Sequence, residues 1–224
     1  MSILDQINCL MEEIETKEKI LKGAEGLFTK YGIRSISMDD IARHLSVSKK
    51  TLYQHFADKD ELVTIAMQTH MEDQKKVFDE IASDAENSIE ELYRISGCLR
   101  KHTEESNPSL LFDIQKFHPK AWSVWVDFKN KFIRCSVVRN LDQGIKEGYF
   151  RPEINAEIIA SLRLAIIETC YDERVFPKDK FKAGEIQAQV FEHFVFGLCT
   201  EKGKKLYQKY KESNHKQQLN TPVI

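Results

Sequence analysis

Apolar residues recur along this chain with the period of a helix and nowhere convincingly with that of a strand. Ile20, Ala24, Leu27, Phe28 and Tyr31 form one helical stripe, and Gly32 is a good stop signal after it. The stretch before Thr16 is amphipathic too, with Ile3, Leu4, Ile7, Leu10, Met11 and Ile14. It reads either as further turns of the same helix or as a separate arm, packed on its own protein. A second long stripe starts at Asp58 and runs through Leu62, Ala66, Met67, His70, Met71, Val77, Phe78 and Ile81 without Gly or Pro. A helix of that length spans about 30 Å, enough to leave one body and enter another. Five more helices are predicted over 88–104, 110–117, 120–147, 155–173 and 180–200. Their breaks are Ser106-Asn107-Pro108, His118-Pro119, Gly148 to Pro152 and Phe176-Pro177. From Glu201 the chain turns polar and lysine-rich, and its end, 212–224, reads as a disordered tail. The fold class is all-α.

Between the first two long stripes lies Ser37 to Lys59, which has a denser grammar. Ser37 with Asp40 three residues on is a capping box, and Ile41, Ala42 and Leu45 share one face of the short helix it opens. Leu45-Ser46-Val47 is a turn, and Ser48 caps a second short helix. That helix turns Lys49, Lys50, Thr51, Tyr53, Gln54 and His55 outward, while Val47, Leu52 and Phe56 point inward. Asp58 caps the next helix, with Glu61 at its box position. No carboxylate occurs between Ile41 and Ala57, whereas Arg43, His44, Lys49, Lys50 and His55 do. A face of cations and hydrogen-bonding groups without acid suits a phosphate backbone and base edges. The plain alternative is a helical hairpin with a solvated face.

The residues Ile41, Ala42, Leu45, Val47, Ser48, Thr51, Leu52, Tyr53, His55, Phe56 and Lys59 stand at the spacing of a known signature, Ile-Ala-x-x-Leu-x-Val-Ser-x-x-Thr-Leu-Tyr-x-His-Phe-x-x-Lys. Their pattern resembles the DNA-binding domain of the tetracycline-repressor (TetR) family. The match reaches back through Ile20, Ala24, Phe28, Tyr31 and Gly32 and covers roughly 14–74. Ser46 departs from the glycine usual in that family, a cost of about 1 kcal/mol if the turn needs a positive φ. The resemblance implies an N-terminal three-helix domain over 14–74, with its helix-turn-helix at 37–56. A C-terminal helical domain over 75–211 for ligand binding and dimerisation follows. It also implies a near-palindromic operator in double-stranded DNA. Lys49, Lys50, Thr51 and Gln54 are the candidates for base edges and nearby backbone, opened by the cap at Ser48. Ser37, Tyr53, His55 and Lys59 are the candidates for phosphates. Lys17 and Lys19 are read as minor-groove neighbours or as solvated lysines.

The family pattern further implies homodimerisation through 155–173 and 180–200, which carry Ile158, Ile159, Leu162, Ala165, Ile166, Val190, Phe194, Val195 and Leu198. Apolar residues on more than one face suit helices packed both inside a subunit and against a twin. An unidentified small-molecule effector is implied as well. The chain is unusually aromatic between 110 and 132, so Phe112, Phe117, Trp122, Trp125 and Phe128 line either plain core or a pocket for a hydrophobic ligand. Tyr93, His118, Arg163 and Glu168 are further polar candidates for ligand contact, the last two placed in an otherwise apolar helix. Such a protein is expected to be a repressor released from its operator by its ligand. Two readings from other classes stay open: a helical adaptor for a protein partner, and an enzyme with a DNA-binding head.

Composition narrows these choices. A hydrophobic share of 42% and a charged share of 30% are ordinary for a globular chain of 224 residues. The net charge of −2 means that any grip on DNA comes from a local patch rather than a global excess of cations. Five cysteines, Cys9, Cys98, Cys135, Cys170 and Cys199, are odd in number and widely spaced, which fits a reducing cytoplasm better than a disulfide framework. Asp5 and Glu12 interrupt the region a signal peptide would need, and the most apolar run is cut by Arg163. No membrane segment, cofactor motif, catalytic constellation or metal-ligand spacing is expected.

Overall fold

The computed structural model describes residues 2–107 and 109–219, and its chain is built from α-helices. These are α1 (Ile3–Tyr31), α2 (Met38–Leu45), α3 (Lys49–His55), α4 (Lys59–Asp84), α5 (Ser88–Glu105), α6 (Leu110–Phe117), α7 (Pro119–Asp127), α8 (Arg134–Lys146), α9 (Ala156–Thr169), α10 (Ala183–Leu198) and α11 (Glu201–Leu219). Among the described residues, extended pairing is limited to an isolated antiparallel bridge between Phe150 and Cys199. Of the described residues, those within 2–73 and 105–126 form one compact unit, and those within 74–104 and 127–219 form another.

The first unit closes around Ile20, Ala24, Leu27 and Phe28 of α1. Against them lie Ile41 and Ala42 of α2, Leu52 of α3, Phe56, and Leu62 and Val63 of α4, all buried. The stripe predicted in α1 is the spine of this core as far as Phe28, whereas Tyr31, its last member, is about half exposed. Gly32 ends α1 with φ of +80°, its N–H donating to the Phe28 carbonyl at 2.9 Å. Residues 105–126 close the unit further, since the Asn107 N–H donates to the Thr29 carbonyl at 2.6 Å.

The second unit has its own core of Ile89, Leu92, Leu141, Phe150, Phe191, Phe194, Val195, Leu198, Cys199 and Tyr207. A polar knot fixes α5 to α8. Asn140 donates to Glu91 at 2.8 Å and to the Ser88 carbonyl at 3.1 Å, while Arg139 donates to Glu91 at 2.6 Å. The N–H and hydroxyl of Ser88 both donate to Glu147. Buried groups this polar are tolerable only because each finds a partner.

Three elements differ from the sequence reading. The stretch before Thr16 is continuous with α1, but Ile7, Leu10, Met11 and Ile14 are about half exposed instead of packed on their own protein. The side chains of Ile3 and Leu4 lie outside the described residues, as does Pro108. The helix predicted over 120–147 is interrupted by a π-helical turn at Phe128–Ile133, where the Arg134 N–H reaches back to the Lys129 carbonyl. The stacked rings of Phe128 and Phe132 are 5.1 Å apart within that turn. The polar end beyond Glu201 forms α11, because Tyr207 is buried edge-on against Tyr93 and Phe196. Tyr210 stacks on Tyr93 at 5.9 Å and accepts a hydrogen bond from Asn87 at 3.0 Å. The tail expected over 212–224 is helical as far as Leu219, and 220–224 lie outside the described residues.

Candidate nucleic-acid interface

The geometry of the head follows from three caps and one strained turn. Ser37 and Asp40 close the predicted capping box on α2: the Asp40 N–H donates to the Ser37 hydroxyl at 3.2 Å, and the Ser37 N–H to the Asp40 carboxylate at 2.9 Å. The Ser37 hydroxyl, donating to the Asp40 carboxylate at 2.5 Å, and then the Ser37 N–H hold the Asp40 carboxyl below the ordinary carboxylate range. Ser48 accepts from the Thr51 N–H at 3.0 Å and so caps α3. Asp58 accepts from the Glu61 N–H at 2.8 Å, and Glu61 accepts from the Ala57 N–H at 2.6 Å, one residue before its box position.

Ser46 ends α2 in the left-handed region, with φ of 56° and ψ of 37°. Among the described residues it alone combines a side chain with positive φ. The turn is then closed by the Val47 N–H donating to the Ala42 carbonyl at 3.0 Å, a six-to-one bond that only this conformation permits. Ser46→Gly should remove the clash while leaving the turn intact, and stabilise the protein by roughly 0.5–1 kcal/mol. Urea denaturation measures the gain, and an unchanged or lowered midpoint would show that the serine is not strained.

On the scaffold so formed, Leu52 and Phe56 are buried, while Lys49, Lys50, Tyr53 and Gln54 of α3 are exposed and Thr51 and His55 half-buried. Lys50 and Gln54 have no hydrogen-bond or ion-pair partner among the described residues, so their donors face outward uncommitted. Lys49 is different. Its ammonium pairs with Asp39 of α2 at 2.6 Å, which raises its pKa. The bridge is exposed and of the kind worth little, so a phosphate can compete for the same ammonium. Thr51 shares its hydroxyl with Ser48 at 2.8 Å.

Lys59 opens α4, and its ammonium donates to the Ile33 carbonyl at 2.6 Å. Burial pulls its pKa below the ordinary lysine range, opposed by the charges of Asp113 and Asp40. One of its three protons is thus spent inside the head, tying α4 to the α1–α2 loop. Lys17 lies 6.0 Å from the centre of the Phe56 ring, and Lys19 is exposed.

Seven of the nine residues considered for ligand contact divide between the two units as follows. Phe112, Phe117, Trp122 and Trp125 stand in the first, whereas Tyr93, Phe128 and Glu168 stand in the second. Phe112 and Phe117 are largely exposed, with Lys116 over both rings and Arg34 over Phe117 at 4.9 Å. Trp122, Trp125 and Phe128 are half-buried. Tyr93 sits in the stack with Tyr207 and Tyr210, and Glu168 is ion-paired with the buried Lys129. His118 bonds to Asp60 at 2.9 Å inside the first unit. Among the described residues no cluster of His, Cys, Asp and Glu could hold a metal, and no helix is long and apolar enough to cross a membrane.

The family described as bacterial regulatory proteins, tetR family, matches residues 20–64, which run from the buried Ile20 of α1 across the whole capped turn into α4. Over that segment the chain matches the DNA-binding head of the tetR family. Relatives extend beyond the head. An uncharacterised helix-turn-helix transcriptional regulator of Bacillus subtilis, YvaF, is 24% identical over 168 residues, covering 75% of this chain and 87% of the relative. The transcriptional repressor KstR2 of Mycobacterium tuberculosis is 25% identical over 144 residues, covering 63% of this chain and 72% of the relative. Among solved structures, a transcriptional regulator from Saccharomonospora viridis in complex with choline superposes with a TM-score of 0.67 at 18% identity, over 84% of this chain and 99% of that one. At that identity the likeness establishes the all-α TetR fold. The chain is a DNA-binding transcriptional regulator, and the family that its head matches is one of regulators and not of enzymes.

Proposed function

We propose that the protein is a cytoplasmic homodimeric repressor that leaves its operator when a small ligand binds the second unit. The observation that carries this reading is the outward face of α3, where Lys50 and Gln54 have no partner among the described residues, Lys49 is held only by an exposed bridge to Asp39, and the helix itself carries no acid. Two copies of α3 would enter successive major grooves of a near-palindromic site, with half-site centres about 34–36 Å apart. Gln54 and Lys50 read base edges, supported by Lys49 and Thr51. Tyr53, His55 and Ser37 meet phosphates, and Lys59 does so with the protons left over from Ile33, setting register without sequence.

Support for the twofold partner comes from α9. Ile158, Leu162 and Ala165 lie on one face and are exposed in the single chain. A partner helix laid along that face would bury them. A ligand that favours one separation of the two heads would then shift the population away from the operator-binding form.

Mobility shift on DNA flanking the protein's own gene tests the head. Gln54→Ala is expected to relax preference at one position of each half-site, at a typical cost of about 1–3 kcal/mol. Selection from randomised half-sites reads this directly. If Gln54→Ala and Lys50→Ala both bind every sequence as the wild type does, α3 is not the reading helix.

A further inference from the structure

Helix α9 carries a cation in a place that packing alone does not explain. Arg163 is 4% exposed, and its guanidinium lies 4.8 Å from the centre of the Phe191 ring and 5.2 Å from that of Phe194. Its Nη1 is buried without a hydrogen-bond partner among the described residues. The acids of the same helix are engaged elsewhere, Glu157 with Arg134 and Glu168 with Lys129. Burial lowers the pKa of Arg163 to about 10, with Cys170 and Tyr171 the groups near enough to oppose it, so the side chain is still a cation at neutral pH. Ring faces attract a guanidinium but supply no acceptor for its N–H groups. An uncompensated charge in a core is among the most costly features a fold can keep.

The surroundings suggest what compensates it. The segment after α9 leaves Tyr171, Val175 and Phe181 exposed, and Tyr171 is near enough to the guanidinium to act on its charge. Ile158, Leu162 and Ala165 mark a different face of α9, so a twin packed on that stripe would not itself meet the Arg163 guanidinium, which faces Phe191 and Phe194. The planar fork of an arginine matches two oxygens of one head group, which a lone ammonium does not.

We propose that Arg163 anchors an organic anion, a small molecule with an apolar body and a carboxylate or phosphate head. The head pairs with the guanidinium, and the body lies against Phe191, Phe194 and Tyr171. This deepens, and rests on, the reading of the second unit as the effector-binding body.

Thermal melting and titration calorimetry on the full chain test the proposal with octanoate, octyl phosphate and, as the uncharged counterpart, octanol. One or both anions should raise the wild-type melting temperature, and octanol should not; which anion does so separates carboxylate from phosphate. Arg163→Met should melt above the ligand-free wild type, because it exchanges an unpaired buried charge for an apolar side chain of similar shape. It should also lose anion affinity by about tenfold or more. Arg163→Lys keeps the charge without the fork and should bind the anion in between. The site is disproved if neither anion binds the wild type, if an anion binds Arg163→Met as well as the wild type, or if Arg163→Met melts below the wild type. Operator binding, followed on the same samples, is a separate readout. A wild type that binds the anion but no DNA would overturn the repressor reading and leave this site standing.

Discussion

Ile158→Glu combined with Leu162→Glu is expected to leave each subunit folded and to convert the dimer into a monomer that no longer holds its operator. Both side chains are more than half exposed in the single chain, at 66% and 51%. Neither contributes to the subunit's own core, so the substitutions cost the monomer little. Across a seam the balance reverses. Each glutamate loses its hydration against an apolar partner face, at a cost of a few kcal/mol per carboxylate. Twofold symmetry repeats every substitution on the partner, so the loss is doubled. About 2.8 kcal/mol is already a hundredfold in dissociation constant. DNA binding should fall with it, because a single head forfeits the effective concentration that the second head provides. Sedimentation velocity should show the monomer, circular dichroism an unchanged helix content, and mobility shift a loss of about a hundredfold or more. A double variant that still sediments as a dimer would place the twofold contact elsewhere.

The contrast between the two ends of the molecule explains what the sequence revealed and what it withheld. The caps and the turn of the head were legible to the residue because their signals are local. Ser37, Asp40, Ser48 and Asp58 act on backbone groups two to four residues away, and these bonds formed as the spacing predicts. Ser46 in the left-handed region also follows from its place in the turn. Partner choice over longer distances was not legible. Nothing in the local pattern says that Lys59 reaches the Ile33 carbonyl, or that Lys49 bridges to Asp39. Glu168 and Arg163 looked alike as charges in an apolar helix, yet one pairs with Lys129 and the other keeps a buried Nη1 without a hydrogen-bond partner among the described residues. The signal for α11 was present in Gly203, Leu206, Tyr207 and Tyr210, at i, i+3, i+4 and i+7, but lay among lysines that lowered the mean hydropathy. The stripe of Ile7, Leu10, Met11 and Ile14 shows the converse limit: periodicity reveals which face is apolar, not what covers it.

Glycine substitutions in the second unit separate packing from propensity, and Gly144→Ala should be strongly damaging. A Cβ at Gly144 would stand 2.1 Å from Phe150 Cδ2, 2.2 Å from Cε2 and 2.7 Å from Cγ. The ring cannot step aside cheaply. Phe150 is 1% exposed, and its own N–H donates to the Gly144 carbonyl at 3.0 Å. The next residue is pinned as well, the Arg151 N–H donating to the Leu198 carbonyl at 2.9 Å. One methyl group therefore forces either α8 or the 149–151 segment to move, and overpacking of this kind costs about 3 kcal/mol. Gly97 is the control. It lies inside α5 with nothing within 4 Å of its added Cβ, so Gly97→Ala should gain up to about 1 kcal/mol from helix propensity. Urea denaturation of both variants should give shifts of opposite sign, with Gly144→Ala the larger. Equal stabilisation by the two would mean that α8 and Phe150 are not packed as closely as the structure has them.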